Sequence, residues 1–462
     1  MPCGWPSKPG APPTWRAGCR SAKSPCRPPP PRVCWIKDAT AARRAALAIL
    51  RAVARGAPFD QARDRAVADL ETRDRRLAHE LAAGVLRRRA ELDRTLDLSR
   101  ADPRLHDVLR LGAYQLRWLN RVPAHAAVST SVELARETAG EAASGYVNQA
   151  LRRLGERVSD PADRPDVPTH PEWLLRRWVE QFGPQETEGL AKWNDSQPPL
   201  TVQAARWDQS VVERRFVEAG LAVEPAPWDA GLHIRRTGPD ETLAPPLFPG
   251  FEAGGFIVQD ASAQLVCRFA AIPADARCYD ACAAPGGKSV TLERLGARVV
   301  AGDARRDRLG RLSENLKRAG VAIRMLCADL LSAPFASGSW DAVVVDAPCT
   351  ATGTMARHPD ARWRITPDAI ERAATRQRLL LRTAARLVRR GGTLVYATCS
   401  LEPEENEAIV EDFLTHERDF GRAPVTDAVP RRLLLTSAGD LQTLPHRDRM
   451  DGAFAARLER AR

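Results

Sequence analysis

The sequence predicts a parallel, doubly wound α/β domain in its C-terminal part, preceded by an all-α domain and a small α+β adaptor. Three observations carry this expectation. From Gly254 onward, short apolar runs alternate with helix-like stretches. Residues 39 to 154 show helical periodicity without strand-like runs. Between the two lies a proline-rich join followed by mixed pattern. The expected division is a tail at 1–38, a helical domain at 39–160, an adaptor at 161–250 and the α/β domain at 251–462.

Residues 1–37 contain ten prolines, seven Lys or Arg and no acid, so they are expected to be a disordered basic tail. That tail also dilutes the net charge. The chain is +11 overall, but without the tail it is only about +4, a weak argument for a polyanionic partner. In ATAARRAALAILRAVARG, Ala46, Leu47, Leu50 and Val53 fall on one helical face. DPRLHDVLRLGAYQLRWL repeats the habit with Leu105, Val108, Leu109, Leu116 and Leu119, and Pro123 is expected to close that helix. In the adaptor, PEWLLRRWVEQFG reads as a helix, and PPLTVQAARW and GLHIRR as strands.

The α/β part then runs RCYDACAA, ARVVAGDA, IRMLCADL, WDAVVVDAP and GGTLVYATCS, the Rossmann-like alternation that places ligands at the carboxyl ends of the strands. Asp303, Asp329 and Asp346 are expected at those ends, each with the alternative of simply capping the next helix. Gly286 and Gly287 let backbone approach a ligand at a helix N-terminus, but the loop is not G-x-G-x-x-G, so a dinucleotide is disfavoured. Lys288 opens a helix, where a cation is disfavoured, and so is expected to have a specific partner. None of the ten cysteines forms a C-x-x-C pair, which favours neither a metal site nor a redox motif. No window approaches the roughly 18 apolar residues of a membrane span and no secretory signal is evident, so a cytoplasmic protein is expected, and a monomer.

Two resemblances sharpen the reading. LRLGAYQLRWLNRVPAHAAVSTSVELARETAG followed by GYVNQALRRL resembles the RNA-binding helical domain of the NusB family, with Ser129 to Ser131 departing from the usual Asn-Glu pair. DACAAPGGK, VQDASAQL, DAPCTATG, RHPDARW and YATCSLEPEEN together resemble the RNA cytosine-5 methyltransferases of the Sun/NOP/Nol type, the RsmB/NOP family. The fusion of both points to the branch that acts on 16S ribosomal RNA, free or in a small-subunit assembly intermediate. The resemblance implies S-adenosylmethionine in the loop Cys282, Ala283, Ala284, Pro285, Gly286, Gly287 and Lys288, with Asp303 on the ribose and Asp329 beside the adenine. Asp346 would then lie between cofactor and base. Thr350 stands where the family mostly has Ser, Ser289 and Val290 replace Thr-Thr, and Ala455 replaces an aromatic.

The chemistry explains the two cysteines. Carbon 5 of cytosine takes a methyl group only after a nucleophile has added to carbon 6, and a thiolate suits that role. Cys399 is the expected nucleophile, Cys349 the group assisting release, and Asp346 the contact to ring N3, holding a proton if burial raises its pKa. Cys267, Cys278, Cys282 and Cys327 are expected to be small buried hydrophobes. His358, Arg362, Trp363 and Arg364 form a candidate loop for phosphate contact and base stacking. Competing readings are an exocyclic-amine methyltransferase, which the cysteine of DAPC opposes, and a DNA cytosine methyltransferase attacking with Cys349. A cytosine-5 enzyme for another RNA, and an assembly factor with an inactive fold, also remain open.

Overall fold

The structure is a computed structural model that describes residues 40–96, 98–157, 168–237, 243–425, 427–429 and 434–462. The expected tail, with Cys3, Cys19, Cys26 and Cys34, and the expected boundary at 160 lie outside these residues.

Residues 41–157 form helices around one apolar core built from the predicted stripes, in which Ala46, Leu47, Leu50, Val53, Leu105, Val108 and Leu109 are all buried. Such stripes turn inward because removing apolar surface from water is the main favourable term in folding. Pro123 does not close the helix His106–Trp118. It caps the next one, Ala124–Ala139, where its missing N–H costs nothing.

The adaptor begins with two helices, Glu172–Phe182 and Pro184–Asp195. Its sheet contains β1 (Leu200–Ala204), β2 (Ala222–Pro225), β3 (Leu232–Arg235) and β4 (Phe256–Val258) in the order β2-β3-β1-β4, with Phe216, Phe248 and Phe256 in its core. Since β4 pairs with β1, the adaptor sheet crosses the boundary placed at 250. A strand that starts a new run in sequence can still finish an older sheet, because antiparallel pairing is decided by partners far along the chain.

The large sheet holds β5 (Arg277–Asp280), β6 (Arg298–Asp303), β7 (Arg324–Cys327), β8 (Trp340–Asp346), β9 (Val388–Thr398), β10 (Phe420–Arg422), β11 (Leu441–Thr443) and β12 (Ala453–Arg460). Its order is β10-β12-β9-β8-β5-β6-β7 with β11 on β12. The five strands β5 to β9 are parallel, as predicted, whereas β12 enters antiparallel beside β9. Chain order reverses between β5 and β8, which makes the crevice at their carboxyl ends the expected place for a ligand. Ala455, at the position of the missing aromatic, is buried on β12 opposite Ala397 and Leu441. No helix among the described residues is long and apolar enough to cross a membrane.

Candidate active site

β8 ends at Asp346 and β9 at Thr398, immediately before Cys399, and the two strands pair Asp346 with Ala397. The register therefore carries both chains out of the sheet side by side. Ala347 N–H continues the ladder to Ala397 C=O at 2.8 Å, and Gly353 N–H donates to Cys399 C=O at 2.9 Å. A Cβ at Gly353 would stand 2.8 Å from the Cys399 carbonyl oxygen and 2.6 Å from that of Gly452, so only glycine permits this approach. The result is a Cys349 Sγ to Cys399 Sγ separation of 3.3 Å. Contact with Cys399 and burial hold the Cys349 thiol well above the ordinary thiol range, so Cys349 keeps its proton.

A buried carboxylate fixes this geometry from behind. Glu405 accepts hydrogen bonds from Thr350 N–H at 2.9 Å, Gln377 Nε2 at 3.0 Å, Ser400 Oγ at 2.5 Å and the Thr350 hydroxyl. It thus joins the loop of one cysteine to that of the other, and Thr350 uses the hydroxyl it shares with serine. The sequence contained this residue in YATCSLEPEEN, but nothing in the pattern singled it out from Glu402 and Glu404.

Lys288 finds its partner in Asp346, Nζ to Oδ2 at 2.7 Å. Burial opposes the charge on Lys288, but Asp346 overrides it and raises the ammonium pKa above its usual value. A third of the Asp346 side chain is exposed, and Lys288 occupies its Oδ2.

The cofactor loop borders a cavity of about 320 Å³ lined by Gln259, Asp280, Cys282, Ala283, Pro285, Gly286, Gly287, Lys288, Arg311, Asn315 and Asp346, among others. Gly286, at φ +107°, turns the chain into the helix Gly287–Arg294, whose amino end faces the cavity. Asp280 is fully buried, with Ser289 Oγ donating to Oδ2 at 2.6 Å and Oδ1 left without a partner. An orphaned carboxylate oxygen, a glycine turn and a helix N-terminus together suit a ligand bearing both positive and negative charge. Asp303 ends β6 as expected, but both its oxygens are engaged, accepting from Ala284 N–H at 3.2 Å and Arg305 N–H at 2.9 Å. Asp329 lies two residues beyond β7, where it accepts from Leu331 N–H at 3.1 Å and caps a short helical turn. Neither acid is among the residues lining this cavity.

Of the other cysteines, Cys267 and Cys278 are buried, Cys282 is half-buried at the cofactor cavity, and Cys327 is exposed, against expectation, on the edge strand β7. The loop His358 to Arg364 divides. Arg362 is fully buried and donates to Asp195 at 2.7 Å and Asn194 C=O at 2.7 Å. Trp363 Nε1 donates to Leu86 C=O at 2.7 Å with Arg89 over its ring. These two are joints to the adaptor and helical domain. His358 and Arg364 instead line a cavity of about 400 Å³ beside Cys349, with Asp60 of the helical domain 3.6 Å from His358 Nδ1.

Three comparisons with known proteins agree. The family model described as 16S rRNA methyltransferase RsmB/F matches residues 270–459, that of the NusB family 40–156, and the ferredoxin-like domain of RsmF/B-like methyltransferases 170–239. The probable ribosomal RNA small subunit methyltransferase B of Synechocystis is 34% identical over 91% of this chain and 99% of its own length. Ribosomal RNA small subunit methyltransferase B of Vibrio cholerae is 33% identical over 90% and 96%. Among solved structures, PH0851 is 25% identical with a TM-score of 0.75 over 91% of this chain and 99% of that one. The fold of NSun6 from Pyrococcus horikoshii matches with a TM-score of 0.55 over 63% and 98%, at 20% identity. S-adenosylmethionine is thus the cofactor of this chain. On the strength of full-length relatives and all three domain matches, the chain belongs to the 16S rRNA methyltransferase RsmB/F family.

Proposed function

We propose that this protein methylates carbon 5 of a cytosine in 16S ribosomal RNA, with Cys399 as nucleophile and Cys349 as the group that assists release. The observation that supports it most is the 3.3 Å approach of the two sulfurs beside Asp346, since two thiols at one strand-end crevice serve a reaction with separate attack and elimination steps. S-adenosylmethionine supplies the methyl group. Cys399 sulfur, its proton given up to solvent, bonds to carbon 6, and the electron pair of the 5,6 double bond becomes available at carbon 5. Asp346 faces ring N3, and the proton this contact needs resides on the Lys288–Asp346 pair. After transfer, a water hydrogen-bonded to the Cys349 thiol takes the carbon-5 proton and passes it to solvent, the double bond re-forms, and the carbon–sulfur pair returns to Cys399. The cavity beside Cys349, with His358 and Arg364 on its wall, is the space proposed for the nucleotide.

The two thiols should therefore fail differently. Cys399→Ala gives no methyl transfer and no adduct. Cys349→Ala traps protein joined to methylated RNA, seen on a denaturing gel as a slower band that requires both RNA and cofactor. The double variant gives no band. An adduct in Cys399→Ala that disappears in Cys349→Ala would exchange the roles.

A further inference from the structure

A cavity larger than those at the glycine loop and at Cys349 lies away from the thiols. It is a cleft of about 840 Å³ between the helical domain and the adaptor, walled by the helices Thr72–Arg87 and His106–Trp118 on one side and by Asp195 to Gln197 and Arg236 on the other. Arg73, Arg76, Arg87, Arg88, Arg121 and Arg236 line it. The acids there are occupied: Glu80 accepts from Tyr114 OH at 2.8 Å, and Asp195 holds Arg362. Among the described residues, Arg73, Arg76 and Arg236 have no carboxylate at ion-pair distance, and Arg87 Nε, Arg76 Nε and Trp118 Nε1 are buried without a hydrogen-bond partner. Arg87 is 8% exposed, so its orphaned Nε is a group held ready in a built wall and not a solvated surface charge. Tyr114 and Trp118 stack at 5.4 Å beside it.

We infer that this cleft binds a single-stranded segment of the RNA substrate, phosphates on the arginines and a base against Trp118. Guanidinium groups interleaved with an aromatic platform are the chemistry of single-strand binding, and a concave cleft of this size admits unpaired nucleotides but not a base-paired helix. The cleft is mechanically joined to the thiol loop. Arg87 donates to Ala356 C=O at 3.1 Å, and Asp195 on its wall holds Arg362 at 2.7 Å, so a strand seated there bears on residues 349–364 through both walls. The inference rests on the reading of RNA as substrate.

The test compares the full chain with an Arg73→Gln, Arg76→Gln, Arg236→Gln variant, using fluorescence anisotropy with a 16S rRNA transcript and with a 20-nucleotide single-stranded RNA. A control variant removes the same charge at the opposite end of the sheet, Arg277→Gln, Arg298→Gln, Arg324→Gln, the first residues of β5, β6 and β7. The cleft variant should bind both RNAs at least about tenfold more weakly and lower the salt slope of log K by about 2, three phosphate contacts at roughly 0.7 each. S-adenosylhomocysteine binding should be unchanged in both variants, which reports folding. In the unaltered protein, 4-thiouridine crosslinks should map to residues 72–88 and 114–122. A cleft variant that matches the control in affinity and slope, or crosslinks elsewhere, overturns the inference while leaving RNA as the substrate. A wild-type chain that binds neither RNA overturns the reading beneath it.

Discussion

The fold makes Asp280 harder to ionise than a free carboxyl. Burial, with the nearby charge of Asp346, pushes its pKa up to about 7, against the restraining hydrogen bond from Ser289. In the unfolded chain the same group titrates near 3.9. Its contribution to stability is thus fully present below about pH 4 and is lost as pH rises through about 7. S-adenosylmethionine bound in this cavity would bring its ammonium and sulfonium toward the unpartnered oxygen, which favours the ionised carboxylate. Affinity for it should therefore rise with pH through about 7, with release of a fraction of a proton, and Asp280→Asn should flatten that profile. Calorimetry at pH 6.5 in two buffers of different ionisation heat measures the proton directly; equal release by both proteins would assign it to another group. Sequence reasoning passed over Asp280 because a carboxylate in a strand looks the same whether its oxygens are satisfied or not. It did find Lys288, since a cation at a helix N-terminus breaks a local rule, and rule-breaking is visible in one dimension.

At the level of elements, the parallel strands β5 to β9 were legible because each is a short apolar run between helical stretches, and the thiols followed from where β8 and β9 end. β12 and the placement of β4 were not, since both pair antiparallel with strands whose identity depends on the folded sheet. The Glu405 clamp was hidden for the same reason: its partners Thr350, Gln377 and Ser400 come from three separate segments. Glu405→Ala would leave these buried donors unpaired at about 1–3 kcal/mol each, before relaxation and water entry reduce the total. The expected outcome is a chain destabilised by several kcal/mol in urea titration, with methyl transfer lost more than S-adenosylhomocysteine binding, because the clamp holds the thiol loops and not the glycine loop. Glu405→Gln, which keeps one of the two acceptor oxygens, should fall between. Equal loss of both functions would mean that Glu405 supports the whole sheet and not the thiol geometry.

Across the whole molecule, the helical domain does more than sit beside the catalytic one. Its Asp64 pairs with Arg311 on the cofactor cavity, its Asp60 faces His358 on the cavity of Cys349, and its Phe59 N–H donates to Asp360 at 3.2 Å. Trp363 is a further joint, packed against the helical core and bonded to Leu86. The composition RHPDARW suits an RNA-facing loop and an interdomain joint equally well, and only burial separates the two, with Arg362 wholly enclosed. Trp363→Ala should remove roughly 3 kcal/mol or more from the joint by the usual cost of emptying an aromatic socket. Two calorimetric transitions should then replace one, as the helical domain melts separately, while S-adenosylhomocysteine still binds within about twofold. Methyl transfer should drop at least about tenfold, because His358 and Cys349 share the loop that Trp363 anchors. Loss of RNA affinity without a change in unfolding would instead return Trp363 to the base-stacking role that its sequence context suggests, and a single transition with full activity would show that the joint is dispensable for both.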